Sequence, residues 1–229
     1  KLLNKLQVEK KYSNIEEKIR NYMCLYAIDL MRFDWIGSDS KILQTNIKRL
    51  LAYSSISHVG YILIALVAKS SLGNASLLFY MLSYAFMIFG VFGIIIMLGQ
   101  KGNENLEIES YSGLAFKYPG LALCMSIFLL SLGGMPPLAG FVAKFFIFSA
   151  ALDEGHLFLV IIAVLNSVIS FYYYLKIIVH MYMREPDREI RLTLSPLTIL
   201  VVAVCILGTL ELGIFPGPII GLAQQSTLF

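Results

Sequence analysis

The chain has 229 residues, of which 58% are hydrophobic and 14% charged, with a formal net charge of +3. A mean hydropathy of +0.74 excludes a soluble domain, and continuous apolar runs such as Ile94-Ile-Ile-Met-Leu98 exclude the alternation of a transmembrane β-barrel. Cys24, Cys124 and Cys205 are too far apart in sequence for a zinc or iron–sulfur site, and no glycine-rich phosphate loop is present, so redox or nucleotide chemistry would belong to partners; nothing in the composition points to nucleic acid.

The amino-terminal stretch is unlike the rest: residues 1–49 hold ten of the eighteen Lys and Arg residues and six acidic ones. Ile15, Ile19, Tyr22, Tyr26, Leu30 and Phe33 recur at helical spacing, opposed by Glu16, Glu17, Lys18 and Arg20. That spacing predicts an amphipathic helix on the membrane surface, with a solvated helix or an ill-ordered lead-in as the plainer alternative. Asp29, Arg32, Asp34, Asp39 and Lys41 argue against a span here. Residues 1–42 are therefore set apart from a membrane domain over 43–229. The chain opens on Lys1 rather than methionine, which suggests a fragment or a processed product.

The first expected span runs from Asn46 to about Lys69 and the second from about Ala75 to Leu98. Gly120 to Leu152 is a pair of apolar half-helices separated by Gly133, Gly134, Pro136, Pro137 and Gly140, residues that remove or misdirect backbone hydrogen bonds that lipid cannot replace. His156 to Met183 and Pro196 to Phe215 complete the set, closed by Pro216-Gly217-Pro218. The expected fold class is all-α: a polytopic transmembrane helical bundle of about five spans, one interrupted by Pro and Gly, preceded by a polar amphipathic segment.

Charge in the connections decides how often the interrupted stretch crosses. One crossing puts residues 1–49, Lys101, Lys117, Arg184, Arg188 and Arg191 on one side, fifteen basic residues against Lys69 alone. Two crossings reduce the contrast to twelve against four. The positive-inside rule favours a single crossing with a cytoplasmic amino terminus.

On that topology Lys144 lies near the bilayer centre, where a charge costs at least about 2.5–3.5 kcal/mol. A desolvated lysine exchanges its proton more readily than a solvated one, which is what a proton carrier needs, and the break would admit water. The structural alternative is a lysine that bonds the carbonyls left free by Pro136 and Pro137. His58, near the middle of the first span, can pass a proton while Ser54, Ser57 and Tyr61 orient it; a histidine satisfied within the core is the alternative. Lys48 is a weaker proton-transfer candidate, explained equally by interfacial anchoring with Arg49. Lys176, another weak candidate, and His180 are close enough to a span end to snorkel. The Tyr172-Tyr173-Tyr174 run reads as an interfacial aromatic belt, and Glu211 as a residue near the far end of the last span.

Gln44-Thr-Asn-Ile-Lys-Arg-Leu-Leu-Ala-Tyr-Ser-Ser-Ile-Ser-His-Val-Gly-Tyr61 resembles the signature of the antiporter-like subunits of NADH:quinone oxidoreductase (respiratory complex I), shared with Mrp-type cation/proton antiporters. Leu130-Ser-Leu-Gly-Gly-Met-Pro-Pro-Leu-Ala-Gly-Phe-Val-Ala-Lys-Phe146 is similar to their second interrupted helix. Ser170-Phe-Tyr-Tyr-Tyr-Leu-Lys176 with Met181-Tyr-Met points to the subunit N branch, subunit 2 in organelles. The resemblance covers about residues 43–220 and implies inverted repeats that each contain a broken helix. This chain would hold the carboxyl-terminal helices.

By that resemblance Lys144 falls on the family's key lysine and His58 on its central hydrophilic axis. The chain would be a proton-translocating subunit of an NADH:quinone oxidoreductase, with no redox centre of its own. NADH, FMN, iron–sulfur clusters and quinone would be bound by partner subunits. Its partners would be the other membrane-arm subunits, the lipid bilayer and, if the gene is split, an upstream half of the same subunit. Its home would be a bacterial plasma membrane, a mitochondrial inner membrane or a thylakoid. An Mrp-type sodium/proton antiporter subunit and a non-transporting truncated or assembly protein stay open as alternatives.

Overall fold

A computed structural model describes residues 17–31, 44–99, 107–186, 192–193 and 195–226. Ile15, Arg32, Phe33, Asp34, Asp39, Lys41, Lys101, Arg188 and Arg191 lie outside the described residues. The elements in chain order are α1 (17–31), α2 (Ile47–Val67), α3 (Ser71–Leu98), a 3-10 turn (Ile108–Tyr111), α4 (Leu114–Lys117), α5 (Pro119–Gly133), α6 (Ala139–Asp153), α7 (Leu157–Met183), α8 (Pro196–Ile214) and α9 (Gly217–Ser226). Among the described residues, α2, α3, α7 and α8 are each long and apolar enough to cross a membrane. Capping sets the starts of two of them: the Asn46 side chain accepts from the Arg49 N–H, and the Ser70 side chain from the Gly73 N–H.

The half-helices α5 and α6 have 15 residues each, or about 22 Å of helix. Neither alone spans roughly 30 Å of hydrocarbon. Two observations make them one crossing in series. The Gly113 N–H just before α4 donates to the His180 carbonyl near the end of α7 (3.2 Å), so α5 begins at the end of the bundle where α7 finishes. Along α3 the packing partners also run in order: Phe128 lies at Gly90, Gly140 at Met87 and Phe146 against Phe79. Lys144 is thereby level with the middle of α3, as the charge pattern in the connections requires.

Further bonds gather the same end of the bundle. Ile108 N–H donates to the Thr45 carbonyl (2.6 Å) and Thr193 N–H to the Met97 carbonyl (2.8 Å). These tie the start of α2, the end of α3 and the lead into α8 together.

The core is two apolar clusters with a polar layer between them. One cluster takes Leu50 and Leu51 of α2, Met87 to Leu98 of α3, Phe128 of α5 and Tyr174 and Ile177 of α7. The other takes Tyr61 and Ile64 of α2, Phe79 of α3, Ala143 and Ile147 of α6 and Leu159 and Ala163 of α7. In the gap on each helix sit buried polar side chains: Ser54, Ser57 and His58 on α2, Ser83 on α3, Asn166 and Ser170 on α7. A polar stratum thus cuts the bundle at the depth where buried polar groups cost most and must find partners.

Two expectations need correcting, and a third gains detail. In α1 the buried side chains are Ala27 and Met31, while Ile19, Tyr22 and Tyr26 of the expected apolar face are more than half exposed. The cause is Gly60, whose missing side chain opens a slot filled by Met31 Cγ, 3.1 Å from where a Cβ would stand. Gly60 is well inside α2, so the carboxyl end of α1 rests against a span. The tyrosine run is not a belt, because Tyr173 and Tyr174 are fully buried and only Tyr172 is exposed. His180 is buried, with its ring Nδ1 on the Lys176 carbonyl (2.8 Å), and does not snorkel.

Candidate functional site

The helix break is built by a few residues with separate tasks. α5 ends at Gly133, and Gly134 takes φ 90°, a left-handed value that a side chain disfavours. An unbroken helix would give the Leu132 carbonyl the N–H of residue 136 and the Gly133 carbonyl that of residue 137. Both positions are proline and have no N–H. Gly140 does not interrupt a helix, being the second residue of α6; it permits contact. Its N–H donates to the Ser131 hydroxyl (3.0 Å), and a Cβ there would fall 1.8 Å from the Ser131 carbonyl oxygen.

Lys144, one turn into α6, supplies the donors the prolines lack. Its Nζ donates to the Leu132 carbonyl (3.2 Å), the Gly133 carbonyl (3.1 Å) and the Ser167 hydroxyl (2.9 Å). Three acceptors match the three N–H bonds of an ammonium. The two carbonyls are the carboxyl-terminal pole of α5, which favours a cation, and the Tyr61 ring covers another side with its centroid 5.0 Å from Nζ. Hydrogen bonds to a charged group contribute about 1.5–3 kcal/mol each. Three of them outweigh an insertion cost of about 2.5–3.5 kcal/mol, and Lys144 stays 4% exposed. The carbonyl-binding role expected as a structural alternative is thus realised, in the same geometry that puts a protonatable amine at mid-depth.

His58 is held by hydroxyls from two other helices. Its Nδ1 is 2.6 Å from the Tyr80 hydroxyl of α3, and its Nε2 is 3.5 Å from the Tyr174 hydroxyl of α7. The Tyr174 hydroxyl is in turn hydrogen-bonded to the Ser54 hydroxyl, one turn back along α2. Tyr84 packs over the imidazole with ring centroids 4.6 Å apart. Of the three neighbours expected to orient His58, Ser54 acts through Tyr174, Tyr61 touches it edge to face at 6.0 Å, and the buried Ser57 Oγ has no hydrogen-bond partner among the described residues.

Lys144 and His58 are brought together through Tyr61, which touches both, and not by a direct bond. The Tyr61 hydroxyl accepts from Asn166 Nδ2 (3.3 Å). Asn166 Oδ1, also buried, has no partner among the described residues; such atoms are where an internal water binds. Lys48 is ten residues from His58 along α2, about 15 Å by helical rise. The bonds that hold Lys144 and His58 do not reach it, nor do they reach Lys176.

A cavity of about 270 Å³ opens over the break, lined by residues 133–136 and by Ser167, Val168 and Phe171. Ser167 also donates to the Gly133 carbonyl (3.3 Å). Sequence reasoning missed Tyr80, Tyr174, Asn166 and Ser167. A signal existed for the last two: Asn166, Ser167 and Ser170 are polar residues on one side of the otherwise apolar stretch 157–171 of α7. Nothing distinguished Tyr80 from its aromatic neighbours.

A family model described as "NADH:quinone oxidoreductase/Mrp antiporter, TM" matches residues 13–170, and so begins within the amino-terminal segment that the resemblance left out. The NADH-quinone oxidoreductase subunit N of Trichlorobacter lovleyi is 45% identical over 192 residues, 83% of this chain and 39% of that protein. The chloroplastic NAD(P)H-quinone oxidoreductase subunit 2 of Mesostigma viride is 42% identical over 204 residues, 84% of this chain and 40% of that protein. Among solved structures, a chain of respiratory complex I from Thermus thermophilus with bound Aureothin superposes with a TM-score of 0.75 and 31% identity, covering 86% of this chain and 44% of that one. The chain spans about two-fifths of the length of these relatives.

Proposed function

The chain belongs to the NADH:quinone oxidoreductase/Mrp antiporter transmembrane family, and on that premise we propose that it is the carboxyl-terminal part of a subunit N and contributes a half-channel for protons, driven by quinone reduction in neighbouring subunits. The observation that carries this reading is Lys144: a buried amine at the level of the middle of α3, on three acceptors beside a helix break. Lys144 takes up and releases the proton. His58, with Tyr80 and Tyr174 on its two ring nitrogens, relays it within the polar layer. Tyr61, whose ring packs against both, holds the two side by side in that layer.

Neither Lys48 nor Lys176 is needed for that segment of the path; their place in this reading is at the end of the bundle where α2 begins. NADH, FMN, iron–sulfur clusters and quinone belong in it to partner subunits, and the other membrane-arm subunits and the remainder of a full-length subunit are the expected neighbours. The membrane is a bacterial plasma membrane or its organellar equivalent.

Lys144→Ala tests the reading in the assembled complex. In sealed membrane vesicles it lowers the protons moved per quinone reduced while the complex still assembles. Wild-type stoichiometry in that variant would remove Lys144 from the path. Pumping that follows sodium and ignores NADH would turn the assignment toward an antiporter.

A further inference from the structure

We propose that Ser167 is the group through which Lys144 exchanges its proton with the cavity over the helix break. This rests on the reading of Lys144 as a proton carrier and adds where its proton goes. Lys144 is 4% exposed and does not line the cavity, whereas Ser167 both lines it and lies 2.9 Å from Nζ. Of the three hydrogen-bond partners of the amine, two are backbone carbonyls, which accept and have no proton to hand on. A hydroxyl does both. Tyr61 covers another side of the amine with the face of its ring, and its own hydroxyl accepts from Asn166 and donates to the Ala163 carbonyl.

Ser167 is also the one residue with a polar side chain in the cavity lining. About 270 Å³ is room for several waters at about 30 Å³ each. The step balances without a further reactant than water. One Nζ–H bond breaks as an O–H bond forms at Ser167 Oγ, while the hydroxyl's original proton passes to a cavity water. The amine is left neutral and one proton has moved. The hydroxyl resets by turning back to the Gly133 carbonyl, 3.3 Å away.

The two sides of Lys144 then differ in kind. Toward α2 it meets the face of the Tyr61 ring; toward the corner and α7 it meets one hydroxyl and an open space.

The test uses the assembled complex in sealed vesicles and compares Ser167→Thr with Ser167→Val, which have the same shape and differ in the hydroxyl. Protons moved per quinone reduced are expected to be at least fivefold higher in the threonine variant than in the valine variant. Equal values in the two, with pumping lost in Lys144→Ala, would overturn the relay and leave the carrier standing. Wild-type pumping in Lys144→Ala would remove both. Should either Ser167 variant fail to assemble, Val168→Phe narrows the cavity without touching the hydroxyl and is expected to cut pumping at least fivefold; wild-type pumping there overturns the proposal.

Discussion

The contact between the two half-helices gives a prediction that does not depend on the proton path. In Gly140→Ala the new Cβ would stand 1.8 Å from the Ser131 carbonyl oxygen and 2.7 Å from its carbon. Ordinary contact begins near 3.4 Å, so α6 must move about 1.5 Å away from α5, and the obstacle is backbone that cannot swing aside. That movement costs about 1–3 kcal/mol in overpacking. It also breaks the Gly140–Ser131 hydrogen bond, a further 0.5–1.5 kcal/mol or about that. The expected total is about 2–4 kcal/mol. Gly120, near the start of α5, is the control: a Cβ there meets nothing within 4 Å, and Gly→Ala in a helix contributes up to about 1 kcal/mol of stability. Thermal unfolding of the detergent-solubilised complex, with the yield of assembled complex, reads both. If Gly140→Ala melts no earlier than Gly120→Ala, the half-helices do not touch at Ser131 and the corner described above is wrong.

Removing one hydroxyl at a time tests the clamp on His58. Tyr174→Phe and Tyr80→Phe keep the rings that fill the core and should cost about 1–2 kcal/mol in stability, while lowering proton pumping several-fold relative to quinone reduction; unchanged pumping in both would take His58 out of the relay. The seat of α1 is testable through Cys24, which is partly buried on that helix. Gly60→Trp fills the slot that holds Met31 and is expected to raise labelling of Cys24 by a membrane-permeant maleimide, whereas Gly60→Ala, whose Cβ meets only the flexible Met31 Cγ at 3.1 Å, should not.

The spans were legible because their boundaries are a matter of length and capping. Asn46, Ser70 and the prolines at 119 and 196 stand where helices start. The two carbonyl partners of Lys144 were legible too, since a proline at i+4 names the carbonyl it deprives. What could not be read was which face of α3 looks inward. In lipid the outward surface is as apolar as the core, so α3 carries no stripe that would have drawn attention to Tyr80; on α7 the series Asn166, Ser170, Tyr174 at four-residue spacing is such a stripe and sets Tyr174 apart from Tyr172. For α1 the sequence period was sound for a helix, but the slot at Gly60 that takes Ala27 and Met31 is on another element and could not be read from α1 itself.

The pairing of Lys144 with the carbonyls of Leu132 and Gly133 makes the seat of the charge depend on the break in the backbone. Were peptide N–H groups restored at positions 136 and 137, the chain could saturate itself, and the ammonium would keep a single hydroxyl as its anchor in hydrocarbon. The dependence does not run the other way. A neutral amine keeps two hydrogens, enough for the two carbonyls, and gains a lone pair that can accept from the Ser167 hydroxyl, so the departure of a proton reverses the sense of the bond to α7 while the two half-helices stay sewn together.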